Sequence, residues 1–276
     1  MKLGYNEASC KKRSDVWADL TLCEKYGYDY IELRLDMLKE FLKKHPLSEL
    51  QAFFAGSRLR PYALNSIENI NFNVSIKWDL LLDLFKFACE TAQAIGCPYI
   101  VVVPTRGTEA NTRDEKQVLD DSVKVLTELA DIARPYGVKL AFEPIGDRRY
   151  CCTGIRQALE IVNAVGRDDV GLTVDSFTFY LQDKAANLDV LKRIPGDKLF
   201  IYHLADCEDL PLGVLDHSHR LFPGDGCIPL KAITDAVRAT GYDGIASLEL
   251  FRPEYWDMDP EEIIRVGADK CRAILG

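Results

Sequence analysis

Four side chains able to hold a cation or move a proton stand at the ends of short apolar runs in the second half of the chain. Glu143 stands near the end of "VKLAFEP", Asp175 closes "VGLTVD", His203 lies in "LFIYHLAD" ahead of Asp206, and Glu249 stands near the end of "IASLELF". An unpaired carboxylate buried at such a place is costly, so each needs a cation, a hydrogen-bond network or the mouth of a cavity. Brought together, three carboxylates repel one another unless a divalent ion sits among them. Mixed oxygen and nitrogen donors suit Mn²⁺, Zn²⁺ or Co²⁺ better than a Ca²⁺ cage. The same residues also allow a plainer arrangement, with Glu143 and Glu249 paired to rim arginines and His203 hydrogen-bonded in the core.

These residues must be positioned by the elements that end in them. Strand-like runs begin at "LGYNE", "YIELRL", "YALNS" and "YIVVVP", and the four runs above complete a set of eight. Amphipathic segments lie between them, such as "WDLLLDLFKFACETAQAIG" and "EKQVLDDSVKVLTELADIARPYG", whose apolar residues recur at three and four and which stop at Gly96 and at Pro135–Gly137. Eight strands each followed by helical sequence, without a linker between two halves, predict a single (β/α)8 barrel over residues 1–276, one α/β domain. No G-x-G-x-x-G turn follows the first strand, which argues against an open dinucleotide-binding sheet. In a barrel the strand ends share one mouth, so Glu143, Asp175, His203 and Glu249 are expected to converge there. Asn65 ends the third strand and is a candidate for a substrate hydroxyl. In "HRLFPGDG", Pro223, Gly224 and Gly226 form a turn able to bring Arg220 over the same mouth.

Composition narrows the function classes. A net charge of −9, with no basic cluster beyond Lys11–Arg13, argues against nucleic acid. No apolar run is long enough to cross a membrane, and "MKLGYNEASCKKRSD" lacks the apolar stretch of a secretory signal, so the expectation is a cytoplasmic protein. The nine cysteines are odd in number and without a C-x-x-C pair, which reads as reduced core residues.

The residues resemble the sugar isomerase and epimerase barrels related to xylose isomerase, and within them the inosose isomerase branch of inositol catabolism. The likeness runs through "MKLGYNEA", "LCEKYGYDYIELR", "PYALN", "VLTELADIARPYGVK", "DSFTFY", "FIYHLADCEDLPLG" and "SLELFRPEYW". The resemblance implies Glu143, Asp175, His203 and Glu249 as the ligands of one divalent metal ion, and Arg220 as the arginine of an R-x-x-P-G-x-G loop. It implies proton transfer between neighbouring carbons of a polyhydroxy ketone through an enediolate, and for the inosose branch the interconversion of 2-keto-myo-inositol and 1-keto-D-chiro-inositol. Where many members read D-x-x-H, with the histidine reaching the substrate's oxygens, this chain places Thr178.

On that basis Glu143 and Glu249 are expected to form the catalytic acid/base pair, with Arg220, Thr178 and Asn65 on the substrate, a small polyol ketone. Phe177, Phe179, Tyr255 and Trp256 are candidates to exclude water and lie against a ring face, although helix packing is the better explanation for the two phenylalanines. Glu7 and Arg34, at earlier strand ends, are expected to pair with each other outside the site. Two other readings stay open: a ketose 3-epimerase on open-chain sugars, and a non-catalytic metal- and sugar-binding barrel. A multi-metal abasic-site endonuclease would need more than the four histidines present.

Overall fold

The eight expected strands form and close on themselves. The computed structural model describes residues 1–107, 110 and 112–276. Its barrel consists of β1 (Lys2–Asn6), β2 (Tyr30–Arg34), β3 (Arg60–Ile67), β4 (Tyr99–Val102), β5 (Lys139–Phe142), β6 (Val170–Asp175), β7 (Leu199–Leu204) and β8 (Ile245–Leu248). All neighbours run parallel, and β8 pairs with β1 to close the ring. The boundaries shift slightly from the sequence reading. Glu143 and Glu249 stand one residue beyond β5 and β8, although their amides still donate to Val102 and Leu204 on the adjacent strands. The seventh run splits, because Asp206–Cys207 leaves the barrel to pair antiparallel with Arg220–Leu221.

Helices follow the strands around the outside: α1 (Val16–Lys25), α2 (Leu35–Leu42), α3 (Leu47–Gly56), α4 (Ile76–Ile95), α5 (Glu115–Ala133), α6 (Ile155–Val165), α7 (Ser176–Asp183), α8 (Leu230–Ala239) and α9 (Pro260–Leu275). Their limits have local causes. Asp114 caps α5 through a reciprocal box with Gln117, and α4 stops where Gly96 takes a left-handed φ of 72°. One apolar layer packs helices against strands, for example Leu126 and Ile161 against Leu140 and Leu172. A second, smaller cluster, including Val101, Ala141, Ile201 and Ile245, fills the barrel interior.

The strand period of two decides which residues reach that interior. Because Ala141, Ile201 and Ile245 point inward, so do Glu143, His203, Ser247 and Glu249, two or four residues further on. Register then sets their height: His203 lies beside Asp175 on one side and Ser247 on the other. All nine cysteines are free thiols, eight of them buried. Among the described residues no helix is long and apolar enough to cross a membrane.

Candidate metal centre and substrate cavity

At the mouth of the barrel Glu143, Asp175, His203 and Glu249 each present one donor atom, all within 4.8 Å of one another and all buried. His203 is the hub. Its Nδ1 lies 2.9 Å from Glu143 Oε1 and 3.3 Å from Glu249 Oε2. Its Nε2 points the other way, 3.0 and 3.2 Å from the two oxygens of Glu32 on β2. Burial opposes its charge, but Glu249, Glu32 and Glu143 outweigh burial and raise the imidazole well above its ordinary value, so it donates from both nitrogens. With an ion bound, the Glu32 carboxylate would keep Nε2 as the donor and leave the Nδ1 lone pair to the metal, the arrangement that orients a metal-binding imidazole.

The three carboxylates are held from behind. Asp175 caps α7, its Oδ1 accepting from the Thr178 amide at 2.7 Å, which leaves Oδ2 facing the cluster. That oxygen forms a buried ion pair with Arg220 Nη1 at 2.7 Å. Glu249 accepts from Asn6 Nδ2 through Oε1 and faces Arg220 and His203 with Oε2. Burial, with the neighbouring Glu249 and against the pull of His203, raises Glu143 to about 7. For Glu249 burial acts upward too, but His203 and then Arg220 outweigh it and bring the carboxyl down to about 2. Three carboxylates and one imidazole form a donor set that fits a single divalent ion of the zinc or manganese type, with the Arg220 guanidinium beside it.

Arg220 arrives from a loop built to deliver it. Asp206 Oδ1 accepts from the amides of Cys207 and Ile228, and its Oδ2 from Gly224. Gly224 needs its positive φ of 86°, and a Cβ on Gly226 would stand 2.1 Å from the Cys207 carbonyl, so the Pro-Gly-x-Gly turn lies flat on the ribbon. The guanidinium then sits between two rings, 4.9 Å from the centroid of Phe177 and 5.5 Å from that of Phe251.

A cavity of about 330 Å³ opens above the cluster, lined in part by Glu143, Glu249, Arg220, Asn65, Phe251 and Trp256. It is large enough for a six-membered polyol. Asn65 lines this cavity and is 4% exposed, and its buried Nδ2 has no protein partner among the described residues. A surface groove of similar volume between α1 and α2, lined by Trp17 and Phe41, has no comparable donor set.

Several expectations change in the folded chain. Thr178 is fully buried beneath the loop after β5, where its hydroxyl accepts from the Gly146 amide, and it is not part of the cavity lining. Its amide donates to the Asp175 cap, and its hydroxyl is engaged by Gly146 rather than left for a ligand. Glu7 and Arg34 do not pair through their side chains: Glu7 Oε2 accepts from the Arg34 backbone amide, and the Arg34 guanidinium turns to Asp36 and to the cavity wall. Phe177 packs on Arg220, whereas Phe179 is buried away from the cavity. Trp256 lines the cavity while Tyr255 stacks on Phe222 outside it. Glu32, Asn6 and His217 escaped the sequence reading, although the inward parity of Glu32, two residues before Arg34, was a usable signal.

A parallel eight-stranded barrel with a Glu/Asp/His/Glu donor set at its mouth defines a metal-site barrel of the sugar isomerase kind. The chain belongs to the xylose isomerase-like TIM barrel family, which matches residues 20–274. It is 41% identical to the inosose isomerase of Bacillus velezensis over 100% of this chain and 97% of that protein. It is 42% identical to the inosose isomerase of Bacillus subtilis over 96% of this chain and 94% of that one. Among solved structures, a crystal structure of the IolI protein with a binding zinc atom superposes with a TM-score of 0.95 at 40% identity, covering 100% of this chain and 98% of the other.

Proposed function

We propose that this protein is a divalent-metal-dependent isomerase of keto-inositols, converting 2-keto-myo-inositol to 1-keto-D-chiro-inositol. The observation that carries the reading is the buried donor set itself, four ligands within 4.8 Å opening onto a polyol-sized cavity. The choice of substrate rests on the inosose isomerases that share 41% and 42% of its residues over nearly their whole length.

Glu143, Asp175, His203 and Glu249 would hold the ion. When bound, such an ion supplies Lewis-acid stabilisation of the oxyanion that develops beside the carbon losing its proton. The chain's own groups do the rest. One of Glu143 and Glu249 removes the proton from the hydroxyl-bearing carbon next to the ketone, and the C–H electron pair becomes the enediolate double bond. The other carboxyl returns a proton to the former carbonyl carbon, while the hydroxyl proton passes to the former ketone oxygen, so the exchange is redox-neutral. Arg220 offers fixed positive charge to the enediolate oxygens, and Asn65 Nδ2 donates to a neighbouring hydroxyl. Phe251 and Trp256 give the ring's C–H face a dry wall.

Proton NMR of 2-keto-myo-inositol with zinc- or manganese-loaded protein tests the reaction, with D-fructose and D-tagatose as the open-chain comparison. Conversion of the ketoses but not of the inosose would replace the proposal by 3-epimerisation. In deuterated water, Glu143→Gln and Glu249→Gln are each expected to slow exchange of the substrate C–H by at least about 100-fold. Exchange at the parent rate in both variants would remove the two-glutamate scheme.

A further inference from the structure

The loop that delivers Arg220 also delivers an imidazole. His217 opens a short helical turn three residues ahead of Arg220, and its Nδ1 lies 3.3 Å from Arg220 Nη2. A guanidinium has donors only, so Nδ1 must accept, and a neutral imidazole that accepts at Nδ1 carries its proton on Nε2. The ring is fixed on two sides, with its centroid 6.0 Å from that of Phe177 and 5.3 Å from that of Phe251. It lines the cavity together with Glu143, Glu249 and Arg220. Among the described residues Nε2 has no protein partner, and it is not sealed from solvent, so a donor on this cavity-lining ring is left open to a ligand. Burial and then the adjacent Arg220 push the imidazole down to about 4, against the opposing pull of Asp175, Glu249 and Asp147, so the ring is neutral at physiological pH.

We propose that His217 is a substrate-binding and specificity-determining residue, whose Nε2–H donates to one hydroxyl or carbonyl oxygen of the bound polyol ketone. The inference rests on the isomerase reading for its ligand but on geometry for its site. An uncharged donor beside a charged one divides the labour: Arg220 favours an oxygen that gains negative charge, and His217 reads a neutral oxygen at a fixed place. The turn that carries both sets their spacing.

The test uses the zinc-loaded protein, His217→Phe, and binding of 2-keto-myo-inositol measured by calorimetry beside NMR turnover. Phe keeps an aromatic ring against Phe177 and Phe251 and removes the donor. Binding is expected to weaken about tenfold with zinc affinity within about twofold of the parent. Among mono-deoxy keto-inositols, one is expected to bind the parent about tenfold more weakly than the full ketone, yet to bind the variant no more weakly than the full ketone does. A merely structural role would not produce that cancellation. Substrate affinity within about twofold, with the same deoxy pattern in both proteins, overturns the proposal. His217→Leu is read in the same way if the Phe variant does not fold. A parent protein that binds the inosose without converting it, with binding lost in the variant, overturns the isomerase reading alone. Turnover with unchanged binding in the variant overturns this inference alone, and a parent that does not bind the inosose overturns both.

Discussion

Replacing Glu32 with alanine removes both oxygens that lie 3.0 and 3.2 Å from His203 Nε2, in a place where both side chains are wholly buried. Two estimates of the consequence agree. Outer-shell partners of metal-binding histidines typically contribute about 10- to 100-fold in metal affinity, which is about 1.4–2.7 kcal/mol. Independently, a buried N–H left without an acceptor costs about 1–3 kcal/mol. Zinc affinity of Glu32→Ala, measured by competition with a chromophoric chelator, is therefore expected to fall at least tenfold. Glu32→Gln keeps one carbonyl oxygen able to accept from Nε2 but loses the charge, so its loss is expected to be smaller, about three- to tenfold. Nitrogen-15 NMR of the histidine ring in the zinc-loaded parent should show the proton on Nε2. If Glu32→Ala, shown folded by circular dichroism, binds zinc within about twofold of the parent, Glu32 does not orient His203 and the reasoning fails. A ring proton on Nδ1 would refute it by a second route.

Thr178→Val is close in shape and removes only the hydroxyl that accepts from Gly146. It is expected to lower unfolding free energy by about 1 kcal/mol in urea titrations and to leave KM unchanged; a raised KM with unaltered stability would return Thr178 to the substrate. Asp206→Ala leaves three backbone amides without their acceptor in the loop that presents Arg220. Thermal unfolding and steady-state kinetics should therefore show loss of both stability and kcat/KM, and preserved kcat/KM would dissociate this loop from the site. His217 is held near 4 when folded, against about 6.5 in an unfolded chain, so the unfolded state binds more protons between those values. Stability carried by the neutral ring is present above about pH 6.5 and is lost as pH falls toward 4. Between pH 7 and 5 the parent should lose about 1–2 kcal/mol more than His217→Phe in urea unfolding, and parallel curves would contradict the depressed imidazole.

Much of the barrel is written locally. The apolar runs in "VGLTVD" and "IASLELF", and helix stops at Gly96 and Gly137, depend on residues close in the chain, so strand and helix positions could be read with errors of up to about three residues. The strand-end acids were legible for the same reason. They terminate mostly apolar runs, and a closed barrel has only one mouth on which such ends can meet.

What the chain alone determined, then, is the eightfold βα order, the four donors at its strand ends, and the turn that carries Arg220. What only the tertiary structure decided is who stands behind them. Glu32 meets His203 across the barrel, 171 residues away in sequence, and Asn6 meets Glu249 across 243. Those pairings depend on the stagger between strands that closes the ring, a long-range quantity with no trace inside any one strand. Thr178 and His217 exchange their expected importance for a related reason. Thr178 spends its amide on the Asp175 cap and its hydroxyl on the Gly146 amide, a contact across 32 residues, while a loop residue can be folded onto the mouth by contacts made far from it in sequence.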